Sequence, residues 1–140
     1  MEQVPVLGGT LESAATGSGE PVLFVHGSFI ADAFAPLRAE KALADRYRLI
    51  TYNRRGFGGS VHHTGPFSIA DQPRDSRAVL EVKQAHIVGH SYGCRVAVEL
   101  ALNSPEIVAT LTFAEPGGPP TPAAAEFGAG LQEIRYLEDR

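Results

Sequence analysis

The chain of 140 residues is 44% hydrophobic and 20% charged, with 15 glycines, 10 prolines and one cysteine. This composition suits one domain with a packed core, and it excludes a disordered chain, a collagen-like chain and a disulfide scaffold. The net charge of −4 argues against nucleic acid or an anionic membrane as the main partner, since both bind basic surfaces. The apolar runs are too short to span a membrane and the N-terminus lacks signal-peptide features, which predicts a cytoplasmic protein.

Strands and helices are predicted to alternate along the first half of the chain. Weak strands separated by glycine turns precede a continuous apolar run at residues 22–25, which is typical of a strand buried on both faces. Apolar residues at helical spacing predict one helix over residues 33–45, with Pro36 in its first turn. A second buried strand is predicted at residues 48–52, followed by a loop to about residue 67.

The same alternation continues through the second half. The predicted elements are a helix at residues 76–82 capped by Asp75 or Ser76, a strand at 85–88, a helix at 91–102, a strand at 108–114 and a helix at 123–137. Pro105 follows the second of these helices and prevents its continuation. Strands that alternate with helices predict right-handed crossovers and a mostly parallel α/β sheet with helices on both faces.

The pentapeptide at residues 89–93, with the sequence G-H-S-Y-G, joins a predicted buried strand to a predicted helix. In this context G-x-S-x-G places its serine on a strained turn, with the hydroxyl exposed at the carboxyl end of the sheet. The flanking glycines Gly89 and Gly93 leave room for neighbouring backbone. The following helix directs amide donors at the same place, so the Tyr92 amide can donate to an oxyanion. An ordinary strand-to-helix turn is the alternative interpretation.

A second segment, residues 26–28, ends the first buried strand. An oxyanion hole needs a second backbone donor, and Gly27 allows a bend that turns the Ser28 amide towards the site. His26 is interpreted as a hydrogen-bonded residue that orients this loop, in preference to a general base.

Four segments, at residues 22–27, 52–60, 86–93 and 113–116, together resemble the α/β-hydrolase fold superfamily in order and spacing. The similar branch contains esterases, lactonases, haloperoxidases and carbon–carbon hydrolases. The resemblance implies that Ser91 is the nucleophile, that the Ser28 and Tyr92 amides form the oxyanion hole, and that the elbow and loop are supported by His26, Gly27, Gly89, His90 and Gly93. Serine at this position separates the chain from similar dehalogenases and epoxide hydrolases, which carry aspartate there.

The resemblance covers the N-terminal half of the family's fold. Family members continue with a cap and two further strands that carry the usual acid and the catalytic histidine, whereas no histidine follows Ser91 here. Residues 1–116 are therefore expected to form the N-terminal part of the core, and residues 117–140 to begin a cap or connecting helix. Glu115 is a candidate acid, since a few relatives place theirs at this position.

The remaining polar residues are expected to have structural roles. His90 is expected to point away from the nucleophile and pack beneath the loop, His86 to be a satisfied core histidine, and His62-His63 to be a solvated loop pair. Arg54 and Arg55 are expected to help fold the glycine-rich loop or to be solvated, and Cys94 to pack as a small apolar residue. No metal site and no cofactor are predicted, because no cluster of cysteines or carboxylates accompanies the histidines.

The predicted function is serine-dependent hydrolysis of a small-molecule ester or related acyl bond through an acyl-enzyme. Without its histidine the chain would be crippled, since losing the base lowers turnover on the order of a million-fold. The alternative is a non-catalytic α/β-hydrolase-like module that binds a small molecule or assembles with a partner. The strand at residues 108–114 would form an open edge, which predicts a homo-oligomer or pairing with a complementing C-terminal half.

Overall fold

The computed structural model describes residues 1–117. Within this range it contains six strands, four helices and two single-turn 3-10 helices. They are β1 (Glu2–Val6), β2 (Gly9–Thr16), β3 (Glu20–Val25), α1 (Ala35–Ala39), α2 (Lys41–Ala44), β4 (Tyr47–Tyr52), the 3-10 helix Ile69–Asp71, α3 (Gln72–Leu80), β5 (Ala85–His90), α4 (Tyr92–Asn103), the 3-10 helix Pro105–Ile107 and β6 (Val108–Ala114). The helix predicted at residues 123–137 and all but the first residue of the segment 117–140 lie outside the described residues. No helix in the described part is both long enough and apolar enough to cross a membrane.

The six strands form one sheet in the order β1-β2-β4-β3-β5-β6. The β4-β3, β3-β5 and β5-β6 pairs are parallel, whereas β1-β2 and β2-β4 are antiparallel. The sheet is therefore mixed, and its parallel part contains the four strands that the sequence predicts at residues 22–25, 48–52, 85–88 and 108–114. Strand β6 lies at one edge of this sheet within residues 1–117, as expected.

Strand β3 is buried on both faces because helices cover both sides of the sheet. Leu23 and Val25 belong to the larger core cluster, which includes apolar side chains of α3 and α4. Val22 and Phe24 point the opposite way, into a smaller cluster that includes side chains of α2. Successive residues of a strand face opposite sides, so one continuous apolar run supplies both cores. The predicted α/β fold with helices on both faces is confirmed.

The region predicted as one helix over residues 33–45 is instead two short helices. Glu40 separates α1 from α2 with an extended backbone, at φ −68° and ψ 113°. Pro36 does lie in the first turn of α1, where its missing amide proton is not needed. Apolar spacing alone could not locate this break, because the apolar pattern continues through it.

Helix α3 begins at Gln72, four residues before the predicted start, so the assignment of Asp75 or Ser76 as its cap was wrong. Both residues lie inside the helix and are buried. The preceding 3-10 helix is capped at its N-terminus by Ser68. The carboxylate of Asp71 accepts hydrogen bonds from the Ser68 amide and hydroxyl. The error has a physical reason: the buried face of the first turns of α3 is polar, so hydropathy gives no helical signal there.

Candidate active site

Ser91 occupies the turn between β5 and α4, where its backbone has φ 51° and ψ −118°. A non-glycine residue in such a region carries about 1–3 kcal/mol of strain, which persists only where surrounding structure fixes it. Two hydrogen bonds do so here. The Ser91 amide donates to the carbonyl oxygen of Ala114 at 3.0 Å, and the Ser91 carbonyl accepts from the Cys94 amide at 3.0 Å. The side chain of Ser91 is half-buried rather than enclosed in a regular element.

The glycines on either side of Ser91 allow strand and helix backbone to meet closely. A Cβ atom on Gly93 would overlap the carbonyl oxygen of Val25 at the end of β3. A Cβ atom on Gly89 would lie 2.7 Å from the Cα atom of Cys94 and from the carbonyl oxygen of Gly93. Both distances are shorter than real Cβ contacts, so neither position tolerates a side chain without movement of backbone.

The loop after β3 runs directly beside the turn that holds Ser91. A Cβ atom on Gly27 would lie 3.1 Å from the Cβ atom of Ser91 and 3.2 Å from both the carbonyl oxygen and Nδ1 of His90. Ser28 follows at a half-buried position, and the next two side chains, Phe29 and Ile30, are exposed. The structure thus brings together the two segments that the sequence singled out.

Tyr92 is the first residue of α4. The amides in the first turn of a helix have no intrahelical acceptor, and the positive end of the helix dipole lies beside them. The hydroxyl oxygen of the Tyr92 side chain accepts a hydrogen bond from Gln72 Nε2 at 3.1 Å. The backbone of Tyr92 is therefore suited to bind negative charge that develops next to Ser91.

His26 is buried at the end of β3 with 1% of its surface exposed. Its Nε2 accepts a hydrogen bond from the Arg54 amide at 2.9 Å, so in the neutral ring the proton resides on Nδ1. Nδ1 lies 2.8 Å from the carbonyl oxygen of Gly27 and donates to it. Both ring nitrogens of His26 form hydrogen bonds with backbone groups, as expected for a residue that orients the loop after β3.

Arg54 has more contacts with the segments around the candidate site than the sequence predicts. It is 6% exposed. Its Nε donates to the His26 carbonyl at 3.0 Å, its Nη2 donates to the Gly27 carbonyl at 2.7 Å, and its Nη1 donates to Gln72 Oε1 at 2.7 Å. The guanidinium carbon lies 5.0 Å from the ring centre of Tyr92. The burial of Arg54 shows that the expected solvation is wrong. Its side-chain hydrogen bonds go to the segment after β3 and to Gln72, and its contact with the glycine-rich loop is with the Phe57 ring, whose centre lies 5.0 Å from the guanidinium carbon.

The candidate acid Glu115 follows β6 with a backbone φ of 51° and an exposed side chain. Its Oε2 lies 3.4 Å from Nε2 of His90, a long contact. The other ring nitrogen of His90, Nδ1, is buried without a hydrogen-bond partner among the described residues. The structure therefore places Glu115 against His90, the residue before the candidate nucleophile.

The other histidines lie away from Ser91. His86 has hydrogen-bond partners in Thr110 Oγ1 at 2.8 Å and Glu20 Oε2 at 3.2 Å, but 29% of its side chain is exposed. It is satisfied, as expected, but it is not a core residue, because these polar partners hold it at the surface of the sheet. His62 and His63 are exposed, and His63 stacks on a phenylalanine ring of the same loop.

Cys94 is buried beneath the turn. Its Sγ donates to the Gly89 carbonyl at 3.2 Å, and burial raises the pKa of the thiol. The side chain therefore packs as a small residue, as the sequence predicts. Within residues 1–117, no group of three or more histidine, cysteine, aspartate and glutamate side chains is arranged to hold a metal ion.

A cavity of about 510 Å³ lies elsewhere, between the β1-β2 turn, the loop that contains His62 and His63, and helix α3. The charged side chains on its wall include Arg55 and Asp75, which form a largely buried ion pair at 2.6 Å. None of its lining residues belongs to the segments 26–28 or 89–93. The cavity is therefore separate from the candidate active site.

The geometry agrees with what the chain resembles among known proteins. RutD of Azorhizobium caulinodans, which is named as a carbamate hydrolase, is 39% identical over 100 residues, or 69% of this chain and 37% of RutD. A thermophilic esterase from Thermogutta terrifontis superposes with a TM-score of 0.79 at 26% identity, over 91% of this chain and 50% of the esterase. An alpha/beta hydrolase from Sphaerobacter thermophilus gives a TM-score of 0.78 at 27% identity, over 96% and 55% of the two chains.

This chain spans 37% of the curated relative and about half of each of the two solved structures. The model of the alpha/beta hydrolase family matches residues 22–139, which includes the last four residues of β3, the turn at Ser91 and all of β6. The resemblance inferred from the sequence motifs is thereby confirmed, and the similar proteins are hydrolases. The chain belongs to the alpha/beta hydrolase family.

Proposed function

We propose that this chain carries the nucleophile and the oxyanion hole of a serine hydrolase that cleaves a small-molecule ester or related acyl bond. The observation that carries the proposal is the strained backbone of Ser91, fixed between β5 and α4 and in contact with the Gly27 segment. Two similar proteins support the bond type, since one is named for carbamates and one for esters. Both are carbonyl compounds with a leaving group.

In the proposed reaction the Ser91 oxygen attacks the carbonyl carbon, and its proton passes to a base. The carbonyl oxygen becomes an oxyanion that accepts hydrogen bonds from the Ser28 and Tyr92 amides, each worth roughly 10²–10³ in rate. Collapse of the tetrahedral intermediate breaks the bond to the leaving group, which departs with the proton. Water then attacks the acyl-enzyme, releases the acid and restores the serine. No cofactor enters these steps.

The base and its acid are proposed to come from a segment outside these 140 residues. The relatives are nearly twice as long as this chain, and no histidine follows Ser91 in this sequence. His26 is committed to the Arg54 amide and the Gly27 carbonyl, which leaves its ring unsuited to accept the serine proton. Without the base, a rate of about 10³–10⁴ over water is expected from the oxyanion hole and substrate binding alone.

A fluorophosphonate probe tests this proposal, because its phosphorus forms a covalent bond with a nucleophilic serine while its phosphoryl oxygen occupies the oxyanion hole, and the missing base slows this reaction. We expect slow, stoichiometric labelling that peptide mass spectrometry locates at Ser91, and none in Ser91→Ala. Ser18→Ala is the matched control, since Ser18 is an exposed serine far along the chain from the site. Equal labelling of wild type and Ser91→Ala would refute the proposal.

The alternative, a non-catalytic module that binds a small molecule or a partner, predicts a different result in the same assay. If the alternative is correct, no adduct forms at Ser91 even at high probe concentration. The rate at which a short-chain nitrophenyl ester is hydrolysed is then the same in wild type and in Ser91→Ala. Labelling of Ser91 and the effect of Ser91→Ala on ester hydrolysis therefore distinguish the two functions.

A further inference from the structure

The buried guanidinium of Arg54 contacts the backbone of one candidate oxyanion-hole segment and the Tyr92 side chain of the other. It contacts the carbonyls of His26 and Gly27 on one side, and Gln72 and the Tyr92 ring on the other. We propose that Arg54 is a positioning residue that fixes the orientation of the Ser28 amide and the placement of Tyr92. This inference rests on the proposed function, because it assigns Arg54 a role in the same site.

The peptide group between Gly27 and Ser28 is held in one orientation by two hydrogen bonds to its carbonyl oxygen. All described peptide bonds are trans, so the Gly27 carbonyl and the Ser28 N–H lie in one plane and point in opposite directions. Arg54 Nη2 donates to the Gly27 oxygen at 2.7 Å, and His26 Nδ1 donates to it at 2.8 Å. With the oxygen held by two donors, the Ser28 N–H is directed away from Arg54. Rotation of this peptide would break both bonds.

The charge and the planar shape of the Arg54 guanidinium make its hydrogen bonds strong and directional. A hydrogen bond from a charged group is roughly twice as strong as one between neutral groups, and the planar guanidinium presents several donors in fixed directions. Arg54 uses this fork on two consecutive carbonyls, those of His26 and Gly27. A lysine carries a single ammonium on a flexible stem and cannot keep the same set of bonds.

The Nη1 group of Arg54 connects the guanidinium to Tyr92 through Gln72. Nη1 donates to Gln72 Oε1 at 2.7 Å, and the amide nitrogen of Gln72 donates to the Tyr92 hydroxyl at 3.1 Å. The guanidinium carbon lies 5.0 Å from the centres of the Tyr92 and Phe57 rings, a distance at which cation–π attraction operates. One side chain thus connects the residue that begins α4 to the loop after β3.

The test replaces Arg54 by Met and by Lys, with Arg77→Met as the matched control. Arg77 has hydrogen bonds of its own to Ser104 and Glu106 but is 56% exposed, so its loss should be tolerated. The first readout is the amide signal of Ser28 in ¹H–¹⁵N NMR spectra. It should move or broaden in Arg54→Met and stay in place in the control, while the signals of β4 and β5 keep their dispersion.

The second readout is the rate of Ser91 phosphonylation. Loss of one aligned oxyanion donor predicts a fall of about 10²–10³ in Arg54→Met and a smaller fall in Arg54→Lys, with no change in the control. If the Met variant fails to fold, Arg54→Ala with added methylguanidinium replaces it, and recovery of the labelling rate is expected. A Ser28 signal that does not respond in a folded Arg54 variant would overturn the inference. An unlabelled wild-type Ser91 would overturn the proposed function instead, and the NMR readout would still decide the role of Arg54.

Discussion

The backbone of Ser91 carries strain that a glycine would relieve. At φ 51° and ψ −118° a side chain costs about 1–3 kcal/mol, whereas glycine in the folded chain costs about 0.5–1 kcal/mol in entropy relative to alanine. The first effect is larger, so we expect Ser91→Gly to have a free energy of unfolding about 1 kcal/mol above that of Ser91→Ala. Urea denaturation of both variants measures this difference. Equal stability, or a less stable glycine variant, would mean that the turn is unstrained.

At this scale, the sequence predicted the residues that define the motif but not those that hold it in place. Ser91 and its flanking glycines are recognisable because a fixed spacing accompanies the strand-to-helix transition. Arg54 and Asp75 are not, because a buried charge looks like a solvated one in a hydropathy pattern. Their burial depends on partners distant in sequence, Gly27 for Arg54 and Arg55 for Asp75, and only the folded chain brings these pairs together.

The junction between β5 and α4 depends on a close approach of helix and strand at Gly93. A methyl group there would overlap the Val25 carbonyl, and relief requires the helix to move from the sheet. Overpacking costs roughly 1–3 kcal/mol, which exceeds the gain of about 1 kcal/mol in helix propensity from glycine to alanine. We therefore expect Gly93→Ala to lower the free energy of unfolding and the labelling of Ser91 together.

Gly117 provides the control for this substitution. Among residues 1–117, a Cβ atom there meets nothing within 4 Å, so Gly117→Ala should stay within about 0.5 kcal/mol of wild type in the same urea titration. If Gly93→Ala were as stable as Gly117→Ala, the close packing of α4 on β3 would not be the constraint that the structure indicates.

Elements were predictable where one physical signal governed them. Strand β3 is a short apolar run, and α4 combines helical spacing with a proline that ends it, so both lie close to their predicted positions. Helix α3 begins earlier than predicted because its first buried residues, Gln72 and Asp75, are polar and are stabilised by arginines of another segment. Local pattern could not reveal that compensation.

On the scale of the whole molecule, alternation of elements predicted the fold class but not the full strand order. The sequence indicated a mostly parallel sheet, since apolar strands alternate with helices, but it did not indicate which strands pair. The antiparallel placement of β1 and β2 next to β4 depends instead on long-range pairing, such as Ser13 opposite Tyr52. The weak, half-exposed strands at the N-terminus carried no signal for this partner.

The edge strand β6 leads to a prediction about assembly. Leu111 and Phe113 are 37% and 43% exposed, and they pair in register with Ile87 and Gly89 of β5, so they lie on one face of the sheet. Among residues 1–117, β6 has a strand partner on one side only, and an edge with exposed apolar side chains recruits further strands. We propose that a second copy of this chain pairs there and expect concentration-dependent dimers in sedimentation equilibrium. A lysine at either position should weaken the dimer, because it brings a charge into the new interface.

Leu102→Lys is the matched control, since Leu102 lies on α4 and is 72% exposed. If general surface hydrophobicity caused association, this substitution would have the larger effect, because it removes the more exposed leucine. If pairing along β6 causes it, Leu111→Lys and Phe113→Lys should raise the dimer dissociation constant by about tenfold or more, which corresponds to roughly 1.4 kcal/mol, and Leu102→Lys should leave it unchanged. A chain that stays monomeric at all concentrations would show that β6 does not recruit a second copy.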